Sequence, residues 1–406
     1  MLYSDFKGLK ISRMGFGTMR LPMLPDSGEI DEKQVFEMTD WAMSHGVNYY
    51  DTAYPYCGNR SEIVIGKALS RYPRDRYFLA TKYPGHQILR KGDPKYDPRK
   101  IFEEQLQKCG VDYFDFYLMH NVNEFCYGID TDESLGILDY FVQQKKAGRI
   151  RHLGFSSHGS LELLENFLDR YGDELEFCQI QLNYLDWTLQ QAKEKYEMLT
   201  RRGVPVWVME SCRGGRLANL SPDAVQKMNT LRPGDSPASW AYRWLQGLEN
   251  AKVILSGAST LAQMKENVET FTENKPLKET EKQLLEEIAQ GLHKWTPCTK
   301  CRYCCPGCPK HLDIPDLIAR YDDIRFSPRV VLTMRIEAMP EGKKPSACIG
   351  CGQCARICPQ KIDIPNIMKD FSAMLADLPS WRETCRQREI AAAKVAAESG
   401  KEGNGN

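Results

Sequence analysis

Residues 298–308 read CTKCRYCCPGC and residues 348–358 read CIGCGQCARIC. Both fit C-x2-C-x2-C-x3-C followed by proline: Cys298, Cys301, Cys304, Cys308 and Pro309, then Cys348, Cys351, Cys354, Cys358 and Pro359. The second run repeats the first at an offset of 50 residues. The repeat continues past the cysteines, since Asp313-Ile314-Pro315 returns as Asp363-Ile364-Pro365. Four thiolates packed into so short a loop, twice, leave the chain little freedom there. The spacing is that of a pair of [4Fe-4S] clusters.

Zinc is the rival metal, but its sites draw ligands from separated pairs. Here each run closes on its own Cys-Pro. In two-cluster ferredoxins the fourth cysteine of each run serves the other cluster. The expected sets are Cys298, Cys301, Cys304 with Cys358, and Cys348, Cys351, Cys354 with Cys308. Cys305 is a neighbour in this reading, because the repeat places Ala355 opposite it. Segments PDLIARYDDIRF, VVLTMRIEAM and PNIMKDFSAMLADL are helix-like, with Pro315 and Pro365 suited to first turns. This part resembles the helical type of dicluster ferredoxin domain.

Nine of the fifteen cysteines fall between positions 298 and 358, and the other six (Cys57, Cys109, Cys126, Cys178, Cys212, Cys385) have no ligand spacing. Clustered C-x2-C reads as metal rather than disulfide. Lys+Arg and Asp+Glu are equal at 54 each, which favours neither nucleic acid nor an anionic membrane as partner. No apolar run approaches the roughly 20 residues of a membrane-spanning helix. The N-terminus MLYSDFKGLKISR has no apolar signal core. A cytoplasmic location is expected.

From residue 10 to 275, short apolar runs alternate with amphipathic segments. Strand-like runs are MGFGTM, VNYYDTA, RYFLATKYP, FDFYLMH, IRHLGFSSH, FCQIQLNY, VPVWVME and AKVILSGA. Helix-like stretches separate them, two of them closed by Gly46 and Gly110. Runs that are mostly buried-looking rather than alternating, each followed by a helix, imply a parallel sheet covered by helices. Eight such units in about 260 residues favour a (β/α)8 TIM barrel over an open sheet.

In a barrel, chemistry belongs at the C-terminal ends of the strands. Asp51 and Tyr56 follow the second strand in DTAYPY, Lys82 ends the third, and His120 ends the fourth. Each alone has a structural reading, but three successive strand ends carry them together. These residues, with GFGTM, GNRSEIVIGKAL, GRIRHLGFSSH, QIQLNY and GASTLAQMKENV, resemble the aldo-keto reductase family over nearly all of residues 1–275. The resemblance implies a catalytic tetrad of Asp51, Tyr56, Lys82 and His120. A phenol near pKa 10 is a reluctant acid at neutral pH. A nearby ammonium favours the phenolate, so Lys82 is expected to lower the Tyr56 pKa, with Asp51 holding Lys82.

The resemblance also implies a nicotinamide cofactor, NAD(H) or NADP(H), bound at strand ends; the chain contains no G-x-G-x-x-G. Gly17, Thr18 and Met19 would flank it beside Asp51. Ser156, Ser157 and Gln181 would hold the carboxamide. Glu210 falls where many relatives carry a ring-stacking tyrosine. Ser211 and Gly214 would face the pyrophosphate, and Gly257, Ser259, Gln263, Glu266 and Asn267 the adenosine end. NADPH-selective relatives place Lys and Arg where this chain has Gly257 and Gln263, which favours NADH. Trp187, Tyr83, Phe125, Tyr127 and loop 212–236 are candidate walls for a small-molecule carbonyl or alcohol substrate.

The expected organisation is a barrel over 1–275, a helical connector over 276–295, a mainly α-helical dicluster ferredoxin-like domain over 296–378, and a polar tail over 379–406. Hydride transfer moves two electrons and clusters move one, a conversion that commonly needs a flavin. No flavin motif is evident. Three readings follow: clusters that relay electrons toward a redox protein partner, clusters that are structural or redox-sensing, and a non-enzymatic cluster-bearing adaptor.

Overall fold

The computed structural model describes every residue except 189–190, 293–295, 297, 299–300, 327, 329, 359 and 403–406. The chain opens with an antiparallel hairpin, β1 (Tyr3–Phe6) and β2 (Leu9–Ser12). Lys7 and Gly8 turn it at φ 51° and 81°. Two successive positive φ values give the backbone twist that a two-residue hairpin needs. The alternating YSDF-KG-LKIS was the available signal for this hairpin, which lies outside the eight expected units.

The eight expected runs form β3 (Met14–Gly17), β4 (Tyr49–Asp51), β5 (Phe78–Tyr83), β6 (Phe114–Val122), β7 (Ile150–Ser157), β8 (Cys178–Gln181), β9 (Val206–Met209) and β10 (Ala251–Ser256). They pair in parallel in chain order, and β10 pairs with β3 through Ile254↔Met14 and Ser256↔Phe16 to close the barrel. Between and after them lie α1 (Glu32–Ser44), α2 (Ser61–Leu69), α3 (Pro98–Cys109), α4 (Tyr127–Asp130), α5 (Ile137–Lys146), α6 (Leu161–Tyr171), α7 (Ala192–Arg201), α8 (Pro222–Leu231), α9 (Pro237–Gln246), α10 (Leu261–Thr270) and α11 (Glu279–Leu292). Local chemistry sets their ends. The Asp97 carboxylate accepts from Arg99 N at 2.8 Å, Pro98 fills the first turn, and Gly110 at φ 64° ends α3. Part of the expected pocket loop 212–236 is thus the helix α8.

Large side chains fill the barrel. Phe6 and Ile11 of the hairpin cluster with Tyr49, Phe116, Phe177 and Trp207. The Phe6 ring stands edge-on to Trp207 at 5.0 Å. The hairpin therefore plugs the barrel from one end, and chemistry is left to the other. A Cβ on Gly154 would meet the Phe177 ring at 2.5 Å, so glycine is what admits that ring. Val35, Met38, Ile65, Phe102, Phe141 and Phe167 pack in the layer between strands and helices.

A second compact unit spans Glu287–Gln387. It contains α12 (Ile314–Phe326), α13 (Val330–Glu337), α14 (Gln353–Ile357) and α15 (Ile364–Ala376). The 50-residue repeat is visible in its core, where Cys304, Leu312, Ile314, Ile318 and Tyr321 pack with Cys354, Ile362, Ile364, Met368 and Phe371. Tyr321 and Phe371 meet ring to ring at 5.8 Å. His311 and Lys361 share positive φ, 48° and 53°, just past each Cys-Pro.

The first unit runs from Met1 to Glu286 and resumes at Arg388. The sequence suggested divisions after 275, 295 and 378; the compact units divide after 286 and after 387. Residues from Arg388 belong with the barrel, and 388–402 are helical, within α16 (Trp381–Glu402). Among the described residues no helix is long and apolar enough to cross a membrane.

Candidate active site and cluster cradles

The strand order carries Asp51, Lys82 and His120 to neighbouring strand ends on β4, β5 and β6. Lys82 Nζ donates to Asp51 Oδ1 at 2.6 Å and to Thr52 O at 2.7 Å, with both side chains buried. Tyr56 lies above this pair. Lys82 Nζ is 5.1 Å from its ring centroid, and the His120 ring stands edge-on to it at 5.8 Å. Tyr56 is positioned by a tight turn: its N–H donates to Ala53 O, and Cys57, Gly58 and Asn59 follow at φ 49°, 64° and 70°. Two non-glycine residues in the left-handed region are a local cost that the turn after β4 sustains. Thr18 Oγ1 donates to Asp51 O at 2.9 Å and shares a hydrogen bond with Ser61 Oγ at 2.6 Å, anchoring the strand end.

Burial raises the Asp51 pKa and lowers that of Lys82, each opposed by the partner's charge. The direction at Tyr56 corrects the sequence expectation. Burial pushes the phenol well above its usual range and Asp51 adds to this, while Arg388 and Arg20 pull it back. The physical reason is the 2.6 Å pair: an ammonium held against a carboxylate presents little net charge to the ring. Burial, together with His86 and Lys82, holds the His120 imidazole well below its usual value, so it is neutral at pH 7. His120 Nδ1 and Asp51 Oδ2 are buried with no hydrogen-bond partner.

Truncating one partner of such a pair strands a buried charge. Lys82→Met is expected to cost about 3–5 kcal/mol, and the Asp51→Asn/Lys82→Met double variant clearly less. The midpoint of the barrel's urea transition measures this. An unchanged midpoint for Lys82→Met would rule out a desolvated pair.

Sequence reading missed His86. It is 2% exposed, its Nδ1 is 3.1 Å from His120 O, and its ring stands edge-on to His120 at 4.3 Å. A histidine in the loop after β5 carries no spacing signal of its own. Tyr83 proves to be core: it is fully buried, donates to Tyr96 O at 2.5 Å and packs on Phe141. Trp187 packs on Tyr196 and Trp244.

The expected cofactor residues fall into two groups. Gln181 Nε2 donates to Asp186 Oδ2 at 2.7 Å, and Asp186 pairs with the fully buried Arg213 at 3.1 Å. Gln181 Oε1 is left buried without a partner, an acceptor suited to a carboxamide NH2. Ser156 Oγ accepts from Asn121 N at 2.8 Å, and Ser157 Oγ donates to Val122 O at 2.7 Å, so both brace β6 against β7. The second group gathers around Arg20, which adjoins Gly17, Thr18 and Met19. Its Nη2 is 3.3 Å from Glu210 Oε1 and 3.0 Å from where a Cβ on Gly214 would stand. Its Nη1 is 3.9 Å from the equivalent point on Gly257, and Ser259 Oγ donates to Arg20 O at 2.8 Å. Gln263 Oε1 accepts from Ser259 N, Ser211 Oγ donates to Leu255 O, and Asn267 Nδ2 donates to Ser256 Oγ. Ser236 donates to Glu266. Ser211, Glu266 and Asn267 thus stabilise the loops. Arg20, Glu210 and the two glycines come together at the strand ends.

In the second unit the thiols surround two recesses. One, of about 330 Å³ with its solvent-open space, is lined by Cys298, Cys301, Cys304 and Cys358 with Ile318, Ile362 and Ile364. The other, of about 370 Å³, is lined by Cys308, Cys348, Cys351 and Cys354 with Leu312, Ile314 and Met368. The fourth cysteine of each run faces the other run's recess. Cys305 lines neither. Among the described residues no three His, Cys, Asp or Glu side chains converge as one metal ion requires. Four thiols spread around an apolar recess instead suit a cluster.

A closed parallel barrel with polar side chains at its strand ends, and a unit built around two four-thiol recesses, define an oxidoreductase with an iron–sulfur module. Residues 13–290 match the aldo/keto reductase family, and the chain belongs to that family. Residues 297–362 match a 4Fe-4S dicluster domain. The chain is 26% identical over 326 residues to the NADH-specific methylglyoxal reductase of Escherichia coli K12, spanning 70% of this chain and 97% of the relative. It is 26% identical over 292 residues to the L-galactose dehydrogenase of Arabidopsis thaliana, spanning 66% and 86%. The fold is shared with the aldo-keto reductase AKR11C1 of Bacillus halodurans, at TM-score 0.55 and 24% identity over 69% of this chain and 93% of that one. The thermostable aldo-keto reductase Tm1743 aligns at TM-score 0.57 and 23% identity, over 71% and 100%. The protein is an aldo-keto reductase-type oxidoreductase. Its family and module support nicotinamide and iron–sulfur cofactors and a small-molecule carbonyl substrate.

Proposed function

We propose that the protein interconverts a carbonyl compound and its alcohol, with Tyr56 as general acid and base. The observation that carries this reading is the buried Lys82–Asp51 pair under the Tyr56 ring, with His120 edge-on. A bound nicotinamide supplies the hydride. In the reducing direction Tyr56 Oη gives its proton to the carbonyl oxygen as that oxygen gains charge. His120, neutral and held beside Tyr56, orients the same oxygen. Arg388 and Arg20 favour the phenolate left behind, and Asp51 fixes Lys82 beneath the ring. Gln181 Oε1 holds the carboxamide, and Arg20 faces the pyrophosphate.

NADH is the proposed donor. Gly257 and Gln263 offer no cation for a 2′-phosphate, Arg20 is engaged with Glu210, and the Escherichia coli relative carries an NADH-specific name. The proposed cluster ligands are Cys298, Cys301, Cys304 and Cys358 for one [4Fe-4S] cluster, and Cys348, Cys351, Cys354 and Cys308 for the other. A relay role is favoured over a purely structural one by exposure. Cys301 and Cys351 reach the surface, and the apolar Tyr303, Ile349 and Ile357 beside the cysteine runs are 61%, 59% and 57% exposed. Exposed apolar residues next to a redox centre suit a redox protein partner.

The test uses the full chain prepared anaerobically. A carbonyl-dependent loss of NADH absorbance is expected, with kcat/KM at least about tenfold above that with NADPH, a difference of about 1.4 kcal/mol. Equal or better use of NADPH overturns the cofactor choice, and no carbonyl-dependent oxidation with either overturns the enzyme reading. The visible absorbance is expected to bleach on adding NADH with flavin mononucleotide. A spectrum that bleaches only with dithionite would assign the clusters a structural role.

A further inference from the structure

The two cysteine runs are set among cations. Residues 296–312 and 342–362 hold seven Lys and Arg and no Asp or Glu, in a chain that carries 54 of each charge. Carboxylates from just outside these stretches engage two of the seven. Arg302 Nη2 lies 2.7 Å from Asp313 Oδ2, and Lys344 Nζ lies 2.5 Å from Glu341 Oε1. Lys343 Nζ donates to Lys310 O at 3.3 Å and to His311 O at 3.0 Å, which ties the second stretch to the first. Lys310, Arg356 and Lys361 are exposed and pair with no carboxylate among the described residues.

The apolar side chains set this surface apart from an ordinary solvated one. Nine large apolar residues are exposed among the described residues, and three of them, Tyr303, Ile349 and Ile357, fall within the two cysteine runs. Exposed apolar side chains rimmed by polar ones mark interaction sites. The two recesses differ at their rims. Lys310 and Ile349 both line the recess of Cys308, Cys348, Cys351 and Cys354, and Cys351 itself is exposed. At the other recess the lining cation is Arg302, whose charge Asp313 offsets.

We propose that the rim of the recess lined by Cys308, Cys348, Cys351 and Cys354 is the docking surface for an acidic one-electron carrier protein, seated on Ile349 with its carboxylates facing Lys310. This rests on the relay reading above, and it names the partner's chemistry and the recess that meets it. One electron passes at a time between the cluster bound there and the carrier's own centre. Whichever gives it is oxidised by one electron as the other is reduced by one, and no bond is made or broken. Opposite charges steer the encounter and set its orientation, while the apolar contact excludes water between the centres. Electron-transfer encounters are small and short-lived, so one exposed isoleucine beside a free ammonium is in proportion to them.

The test uses the full chain with its clusters, prepared anaerobically. The probes are an acidic plant-type [2Fe-2S] ferredoxin and mitochondrial cytochrome c, which is basic, titrated calorimetrically. The salt is about 0.1 M, where charges more than about 10 Å apart are screened from each other. Wild type is expected to bind the ferredoxin at least about tenfold more tightly than cytochrome c, and to lose most of that preference at about 1 M salt. Lys310→Glu should weaken ferredoxin binding at least about tenfold and Ile349→Ser about threefold, while Arg302→Glu changes it less than about threefold. No ferredoxin binding, an unchanged affinity in Lys310→Glu, or an equal loss in Arg302→Glu overturns the proposal. So does a Lys310→Glu variant that shifts only the reduction potential, since Lys310 would then be a counter-charge for the cluster. Lys310→Gln takes the place of Lys310→Glu if the latter lacks the wild-type iron and sulfide. Oxidation of the dithionite-reduced protein by benzyl viologen, a small dye that needs no docking surface, reads the relay separately. If the dye takes no electrons, the relay reading fails, and ferredoxin binding that Lys310→Glu abolishes still supports the surface. If the dye takes electrons and the ferredoxin does not bind, the relay stands and the docking surface fails.

Discussion

Tyr56→Phe is expected to lower kcat for carbonyl reduction by about 10²–10⁴-fold, the range general acid catalysis contributes. Only the hydroxyl is removed, so the ring still packs against His120 and over Lys82. Cofactor affinity, read by quenching of tryptophan fluorescence on titration with NADH, should stay within about twofold, since a group that acts only in the transition state leaves ground-state binding intact. Retained turnover would end the acid–base assignment, and a loss confined to KM would make Tyr56 a binding residue. The raised pKa of the phenol adds a directional consequence. In reduction the protonated form is required, and it is the form present at neutral pH. In alcohol oxidation the phenolate is required. Its population grows about tenfold per pH unit below the pKa, so the oxidation rate should climb with pH across the neutral and mildly alkaline range while reduction stays flat. A flat oxidation profile would mean that another group takes the proton.

Cys354→Ser is expected to remove about half the iron and sulfide per chain, because one of the two proposed clusters loses a proposed ligand. It should also destabilise the second unit. Cys354 and Cys304 are only 8% exposed and lie in the unit's own core between the repeated isoleucines, where a bound cluster would cross-link loop and helix. Cys305→Ser should keep the full iron content, since Cys305 borders neither recess. Cys304→Ser tests the choice between adjacent thiols. Loss of half the iron supports Cys304 as the ligand, and full retention would show that Cys305 takes its place. Iron and sulfide analysis with the anaerobic visible spectrum reads all three variants.

Much of the fold was legible. The barrel strands are mostly buried runs, and several helices carry their own start and stop, as Asp97, Pro98 and Gly110 do for α3. These signals are local, and a parallel barrel pairs its strands in chain order. The hairpin plug was missed because its two strands are short and only partly buried, so their alternation is weak. At the candidate site, Asp51, Tyr56, Lys82 and His120 could be picked out because strand ends recur at regular intervals. His86, Arg20 and Arg388 could not, since each lies in a loop or a distant helix whose position depends on what it packs against. The direction of the Tyr56 pKa was hidden for a related reason: it depends on how closely Asp51 neutralises Lys82.

The sequence by itself determined the thiolate spacing, the 50-residue repeat that singles out Cys304, and the order of strands that brings a lysine, a carboxylate and a histidine to one barrel face. All of these are set by residues close in the chain or by a rule of chain order. Cys308 and Cys358 line each other's recess as the spacing led one to expect, but only the tertiary structure decided that Arg20 stands between Gly214 and Gly257 and that the chain returns at Arg388 to the barrel. Those juxtapositions join residues far apart in sequence, and their ordering is secured by packing and desolvation, which no spacing along the chain encodes.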